Sequence, residues 1–159
     1  MLEILFILVG MMSVYCFVIE TYSVFLSIFG YKKLEKYYTE SSPEAKFLIL
    51  VAAHNEEDVI ESTLENLEKI DYPKELFDLY VVNDNSTDST GELCDKRGAM
   101  HIDTIEKKFQ REGEGKSAGL QYALRALGFE KLKDKYDMLL ILDADNHVDS
   151  NILKEINSQ

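Results

Sequence analysis

Cysteine and positive charge are both scarce in this sequence of 159 residues. The two cysteines, Cys16 and Cys94, lie far apart and show no C-x-x-C or Cys/His spacing. Neither a zinc site nor a disulfide framework is therefore indicated, and a reduced compartment fits best. The 17 basic residues are outnumbered by 29 acidic ones, which gives a formal net charge of -12. A chain of this charge repels a phosphate backbone, so we expect no nucleic-acid partner.

Charged residues are nearly absent from the amino-terminal segment. Between Ile4 and Phe29 the one charged residue is Glu20, and a helix of about 20 mostly apolar residues is long enough to cross a bilayer core. A cleaved signal peptide is the competing interpretation, but Glu3 rather than Lys or Arg precedes the segment, and no small-x-small cleavage site follows it. The sequence predicts one transmembrane anchor in residues 1–30, with Glu20 ending the span at the membrane interface.

Positive charge begins only after this segment. Every Lys and Arg lies beyond it, starting at Lys32, so the positive-inside bias predicts a single-pass protein of the cell membrane whose soluble part is cytoplasmic. Residues 31–46 are expected to form a polar, aromatic-bearing linker, in which Pro43 discourages a continuous helix. Residues 47–159 are expected to form the folded domain.

Apolar runs and helical patterns alternate along this domain. Four apolar runs are predicted to be strands: Phe47–Ala53, Leu76–Val82, Ala99–Ile102 and Met138–Leu142. Four helices are predicted. The first has Ile60, Leu64 and Leu67 on a single face, and the second lies between a Ser89–Glu92 capping box and Gly98. The third covers Ser117–Leu127, and the fourth begins at Ile152 after a cap at Asp149. This order predicts an α/β fold in which helices cover both faces of a mostly parallel sheet.

Polar residues gather where three of the predicted strands end. The three loops are His54–Glu57, Asn83–Asp88 and Asp143–Asn146. Ligands of such folds bind outside the carboxyl ends of the strands, and clustered carboxylates there repel one another unless a hard cation such as Mg²⁺ or Mn²⁺ joins them. Asp143 and Asp145 are two residues apart, so on an extended chain both side chains would point toward one cation and the diphosphate that it binds.

The segment Arg111–Leu120, REGEGKSAGL, suggests a different function, because its Gly-Lys-Ser resembles the end of a phosphate-binding P-loop. The P-loop pattern G-x-x-x-x-G-K-[ST] requires glycine where Gln110 stands, and its loop must follow a buried strand directly. A P-loop-like nucleoside triphosphatase is therefore the less favoured hypothesis. At a helix start Lys116 is still placed to bind a nucleotide, because helix amino termini favour anions.

Five stretches of the domain, taken in order, carry a family resemblance: VAAHNEEDVIESTLENL, IDYP, LYVVNDNSTDST, GEGKSAGLQYAL and LLILDAD. They cover Phe47 to Asp145 and resemble the amino-terminal half of a membrane-associated family 2 glycosyltransferase of the GT-A fold. The resemblance implies a nucleotide-diphospho-sugar donor, usually a UDP-sugar, with Mg²⁺ or Mn²⁺, a glycan or lipid acceptor, and a role in polysaccharide biosynthesis. It implies these donor-site residues: Ala53, His54, Glu56 and Asp84 for the base and ribose, Lys116 near the nucleotide, and Asp143 and Asp145 for the ribose and the metal-bound diphosphate.

The sequence departs from the family pattern in a few places. Asn83 and Asn85 stand where Asp and Gly are common, and Gln121 stands where Asn is common. The acceptor-side half, with the carboxylate that acts as general base in inverting members, would lie after Gln159, so we expect the catalytic base outside this sequence. The remaining hypothesis is a noncatalytic membrane-bound protein that pairs with a partner subunit through the edge of an incomplete sheet.

Overall fold

The computed structural model describes residues 2–30, 41–104, 109 and 113–158, and the chain divides into two units, Met1–Tyr37 and Tyr38–Gln159. Helix α1 (Leu2–Gly30) belongs to the first unit, and its Leu2–Ile28 stretch is long and apolar enough to cross a membrane by length and composition alone. The helix continues past Glu20 to Gly30. The position of Glu20 at the membrane interface stays a prediction. Most of the predicted linker, residues 31–40, lies outside the described residues.

The second unit is built on a parallel sheet. Its described strands are β1 (Phe47–Ala53), β2 (Phe77–Asn83), β3 (His101–Asp103) and β4 (Met138–Asp143). Its described helices are α2 (Ile60–Glu68), α3 (Thr90–Arg97), α4 (Lys116–Leu127), α5 (Phe129–Lys135) and α6 (Ile152–Asn157), and a 3₁₀ turn at Lys74–Leu76 precedes β2. The strands pair in the order β3-β2-β1-β4, and every pairing is parallel. The predicted α/β fold is confirmed.

Strand β1 is the centre of this sheet. It pairs with β2 on one side and with β4 on the other, so that Phe47 lies opposite both Phe77 and Met138. Alternate β1 side chains point to opposite faces. Ile49 and its neighbours two residues away pack with α2, α3 and α6, whereas Leu48 and Leu50 pack with α4 and α5. Helices therefore cover both faces, which explains why β1 is a continuous apolar run.

The boundaries of the other strands differ slightly from the prediction. β2 begins and ends one residue later than expected, β4 includes Asp143, and β3 begins at His101 rather than at Ala99. Helix α5 was not predicted, because its seven residues, FEKLKDK, are too few to show a helical period. Gly128 separates it from α4 with a φ of 86°, a value that glycine adopts readily.

The predicted helix caps were wrong at two sites. Ser89 precedes α3, but its side chain caps nothing, so the Ser89–Glu92 capping box does not form. Asp88 takes the capping role instead, because its Oδ1 accepts hydrogen bonds from the backbone N–H and the hydroxyl of Thr90. Asn151 precedes α6, and no side chain, including that of Asp149, caps this helix. The left-handed Gly98 after α3 ends that helix as predicted, at a φ of 67°.

The side chain of Asn157 joins α6 to the segment that enters β1. Its Oδ1 accepts hydrogen bonds from the backbone N–H groups of Glu44 and Ala45, at 3.1 and 3.0 Å, and from the hydroxyl of Tyr72 at 3.0 Å. Its Nδ2 donates to Ser41 Oγ at 2.8 Å. One amide therefore holds three parts of the domain together at the end of the sheet where β1 begins.

We expect Asn157→Ala to destabilise the chain by about 2 kcal/mol, because it leaves several donors without their shared acceptor. The measurement is the urea midpoint of the detergent-solubilised chain, followed by circular dichroism. Asn151→Ala, at the residue just before the same helix, is the control, since the Asn151 side chain donates to the side chain of Glu155 within the same helical turn. Equal midpoints for the two variants would contradict this role for Asn157.

Candidate functional site

The carboxyl ends of β1, β2 and β4 surround one pocket of about 300 Å³. The sheet order places it where the connections diverge, because α2 and α3 cover one face of the sheet and α4 covers the other. Six of the predicted donor-site residues line it: Ala53, His54, Glu56, Asp84, Lys116 and Asp143. Asp145, the seventh, is exposed and does not line it. Four other residues complete the lining: Ala52, Val82, Asn85 and Gly115.

Asp84 is the most firmly held acidic residue of the pocket. It is only 6% exposed, its backbone N–H donates to Ala53 O at 2.8 Å, and the Thr104 hydroxyl donates to its Oδ1 at 2.7 Å. His54 Nδ1 donates to the Asp84 carbonyl at 2.5 Å, so a proton lies on Nδ1. These contacts fix Asp84 and His54 relative to each other.

Helix α4 approaches Asp84 through a glycine. A Cβ on Gly119 would lie 2.8 Å from Asp84 Cγ, which is closer than real Cβ contacts occur. The absence of a side chain therefore allows the first turn of α4, with Lys116, to stand beside the buried carboxylate. The sequence does not indicate this close approach, because a glycine inside a helical pattern predicts only a slightly weaker helix.

Gly119→Ala should destabilise the chain although alanine is the better helix former by about 1 kcal/mol. Overpacking against the fixed Asp84 costs about 1–3 kcal/mol and reverses the sign. The urea midpoint measures the net effect, and Gln121→Ala at an exposed position of α4 is the control. A Gly119→Ala variant at least as stable as the wild type would show that Asp84 moves aside freely.

The loops after β1 and β2 are tied together by hydrogen bonds that the sequence did not predict. Asn55 has a left-handed backbone, with a φ of 55°, and its Oδ1 accepts a hydrogen bond from the Thr87 N–H at 2.7 Å. Asp88 Oδ2 accepts the Glu57 N–H at 3.0 Å, and Thr90 Oγ1 accepts the Glu56 N–H at 2.9 Å. These bonds fix the pocket residues His54 and Glu56 against the loop that carries Asp84. The Asn-Ser-Thr-Asp composition of the second loop was the available signal.

These bonds also shift the titration of Asp88. Burial by itself would raise the pKa of this carboxyl, but hydrogen bonds from Thr90 and from the Glu57 N–H outweigh it and lower the pKa below the ordinary 3.8. A carboxyl whose pKa is lower in the folded chain contributes stability above the ordinary pKa. That contribution is lost as the pH falls through the folded value.

Asp88→Asn should therefore be destabilising near neutral pH and much less so in acid. We expect the difference in urea midpoint between wild type and variant to shrink from about pH 7 to about pH 3. Asp58→Asn, at an exposed carboxylate of the preceding loop, is the control. If the difference in urea midpoint between the wild type and Asp88→Asn did not change with pH, the assigned hydrogen bonds would be contradicted.

Lys116 and Asp143 form an ion pair across the mouth of the pocket. Lys116 Nζ donates to Asp143 Oδ1, and the two side chains are 44% and 52% exposed. Lys116 is the first residue of α4, so the helix dipole adds positive potential to that of its ammonium group. The pair is open to solvent, which makes both charges accessible to an incoming anion or cation.

The backbone of the Asp-Ala-Asp stretch differs from the expected extended chain. Asp143 ends β4, and the Asn146 N–H donates to the Asp143 carbonyl at 3.1 Å, which closes a turn. The argument that both carboxylates share a strand face is therefore wrong. Within the described ranges, no group of three or more His, Cys, Asp and Glu side chains is arranged to bind a metal ion. Two exposed carboxylates still fit Mg²⁺ or Mn²⁺, because such ions often take one or two protein carboxylates and complete their shell with water and substrate phosphates.

Comparison with known proteins adds a decisive observation. A family model described as Glycosyl transferase family 2 matches residues 48–156. This chain belongs to glycosyl transferase family 2. One similar relative is the probable glycosyltransferase YdaM of Bacillus subtilis, 36% identical over 103 residues, which are 64% of this chain and 23% of YdaM. The chain thus spans about a quarter of that relative.

Solved structures of glycosyltransferases share the fold. The mannosyltransferase PcManGT from Pyrobaculum calidifontis, in complex with GDP-Man and Mn²⁺, gives a TM-score of 0.60 at 21% identity over 87% of this chain and 39% of its own. Staphylococcus aureus TarS, a poly(ribitol-phosphate) beta-N-acetylglucosaminyltransferase, was solved in complex with UDP-GlcNAc. It gives a TM-score of 0.50 at 26% identity over 70% of this chain and 30% of its own. The GT-A fold expected from the sequence is confirmed.

The structure accommodates the three departures from the family 2 pattern. Asn83 donates to Asp103 Oδ1 at 2.5 Å and does not line the pocket, so its difference from Asp lies outside the pocket wall. Asn85 lines the pocket with a φ of 51°, a left-handed conformation that glycine adopts most easily and asparagine tolerates well. Gln121 is exposed on α4.

Proposed function

We propose that this chain forms the donor-binding part of a membrane-anchored glycosyltransferase that uses a UDP-sugar. The observation that carries the proposal is the convergence of six sequence-predicted residues on one pocket at the carboxyl edge of the sheet. The UDP-GlcNAc bound in the TarS structure supports a uridine nucleotide as donor, since TarS shares both fold and family with this chain.

The base and ribose of the donor would bind on the β1 and β2 side of the pocket. Asp84 is buried and fixed, so its carboxylate can accept hydrogen bonds from nucleoside groups with little reorganisation. His54 donates through Nδ1 to a carbonyl, which directs its ring and leaves Nε2 as the remaining polar atom. Ala53 contributes a small side chain to the pocket wall, which leaves room for the nucleoside. The Glu56 carboxylate would be a second hydrogen-bond acceptor for it.

The diphosphate would bind on the opposite side, next to Lys116 and Asp143. Lys116 can turn from the Asp143 carboxylate to the diphosphate, because both side chains are solvent-accessible and the amino terminus of α4 favours an anion. Asp143 and Asp145 would then hold Mg²⁺ or Mn²⁺ between protein and donor. When bound, that ion supplies charge stabilisation for the departing diphosphate.

Transfer also requires a carboxylate that deprotonates the acceptor hydroxyl, and we propose that it belongs to the acceptor-side half of the enzyme. The name of TarS joins sugar transfer to poly(ribitol-phosphate), which supports a glycan-type acceptor. The exposed apolar residues Met138, Leu139 and Ile141 on β4 support a covering polypeptide, from that half or from a partner subunit. Residues 1–30 would anchor the cytoplasmic domain 47–159 through the linker 31–46.

Donor binding can be measured by calorimetry on the detergent-solubilised chain, titrated with UDP-GlcNAc and with UDP in the presence of Mn²⁺. Lys116→Ala and Asp143→Asn should each weaken binding about 10-fold or more, because each removes a charge-assisted contact worth about 1.5–3 kcal/mol. Removal of the metal with a chelator should weaken binding of the wild type in the same range.

The controls for this experiment are Lys131→Ala and Asp134→Asn, which make the same changes at exposed positions of α5, outside the pocket lining. They should bind as the wild type does. A folded wild-type chain that takes up neither UDP nor UDP-GlcNAc with any divalent ion would overturn the proposed function. Hydrolysis of nucleoside triphosphates that depends on Lys116 would favour the P-loop hypothesis instead.

A further inference from the structure

One side of helix α2 carries polar residues that contact the same loop. Its Ser62, Thr63 and Asn66 all contact the loop that follows β4, residues 144–148. Thr63 is only 1% exposed, and its hydroxyl donates to the carbonyl of Ala144. A buried threonine is not the residue that helix stability favours, because β-branched residues lose rotamer freedom in a helix. The hydroxyl contact to Ala144 gives the threonine a specific use.

Asn66 binds the far end of the same loop in both directions. Its Nδ2 donates to the Val148 carbonyl at 3.1 Å, and its Oδ1 accepts the Val148 N–H at 2.9 Å. The amide thus satisfies both backbone groups of Val148, as a neighbouring strand would. Thr63 and Asn66 stand three positions apart, so they lie on the same side of α2.

Ala144, whose carbonyl binds the Thr63 hydroxyl, lies between the two aspartates of the Asp-Ala-Asp turn. Ala144 is 1% exposed, its N–H donates to Ala52 O at 3.1 Å, and its carbonyl accepts the Thr63 hydroxyl. Asp143 and Asp145, on either side of it, are exposed. Both carboxylates therefore extend from a backbone whose central residue is fixed on its N–H side by the sheet and on its carbonyl side by α2.

We propose that Thr63 and Asn66 are positioning residues that set the separation and direction of the Asp143 and Asp145 carboxylates, and so tune the affinity for a divalent cation. The proposal rests on the proposed donor site, where these two carboxylates hold the ion. Groups that orient metal-binding side chains through hydrogen bonds affect metal affinity without touching the metal. Thr63 and Asn66 act here through the backbone of the turn.

The test compares Thr63→Val with Thr63→Ser in the full chain. Valine keeps the shape of threonine and removes the hydroxyl, whereas serine keeps the hydroxyl. Thr63→Val should weaken Mn²⁺ binding in the presence of UDP about 10-fold, as measured by electron paramagnetic resonance of free Mn²⁺. Thr63→Ser should bind Mn²⁺ as the wild type does. UDP binding without metal should be the same in all three, because the β1 and β2 side of the pocket is unchanged.

A variant with a comparable change at the other end of the sheet separates positioning from general destabilisation. Tyr72→Phe also removes one hydroxyl from a residue that is 5% exposed, and the Tyr72 ring packs on Phe47 at the start of β1. It should lower the urea midpoint and leave Mn²⁺ affinity unchanged. Equal loss of Mn²⁺ affinity in Tyr72→Phe and Thr63→Val would overturn the proposal.

Asn66→Ala tests the contacts between α2 and the loop after β4 a second time. Asn66 is only partly buried, so this variant should fold even if Thr63→Val does not. It should weaken Mn²⁺ binding in the same direction, and Glu68→Ala, exposed on the same helix, should not. Wild-type Mn²⁺ affinity in both Thr63→Val and Asn66→Ala would overturn the positioning role and leave the donor site standing. A wild-type chain that binds no UDP with Mn²⁺ would overturn the donor site and this proposal together.

Discussion

The parallel pairing of β1 with strands on both of its sides is the constraint on which the rest of the structure depends. Because both neighbours run in the same direction, the chain must cross over a face of the sheet between strands, and each crossover here contains at least one helix. The crossovers to β2 and β3 use one face and the crossover to β4 uses the other. That switch of face opens the crevice beside the end of β1, where the pocket residues meet.

The elements that this constraint governs were the ones that the sequence predicted well. A central strand buried on both faces must be apolar throughout, and Phe47–Ala53 was placed without error. The apolar face of α2 was likewise visible, because Ile60, Leu64 and Leu67 follow a helical period. Six of the seven predicted donor-site residues line one pocket, since strand ends in a parallel sheet share an edge. Their roles in binding stay predictions.

The parts that sequence patterns could not give are those that depend on contacts between distant residues. A capping box at Ser89 was a reasonable local expectation, but Asp88 is bound from both sides, by Thr90 and by the Glu57 N–H, and takes the role. The turn after Asp143 follows from bonds to Ala52 and Thr63, neither of which is near it in sequence. Likewise, the need for glycine at position 119 is explained only by the side chain of Asp84, which lies beside it in the folded chain.

The two sides of the pocket differ in the burial of their charged groups and in how firmly those groups are held. On the β2 side Asp84 is buried and held by Thr104, so a nucleoside would meet groups that are already in position. On the β4 side the charges are exposed, and in the absence of donor Lys116 neutralises Asp143. A diphosphate that draws Lys116 away would leave two carboxylates beside an anion, an arrangement with surplus negative charge that water alone screens poorly at close range. A divalent cation that arrived with the donor would remove this surplus. Under the proposed function, the ligand-free ion pair would make diphosphate and metal binding mutually dependent, whereas the nucleoside contacts would form without either.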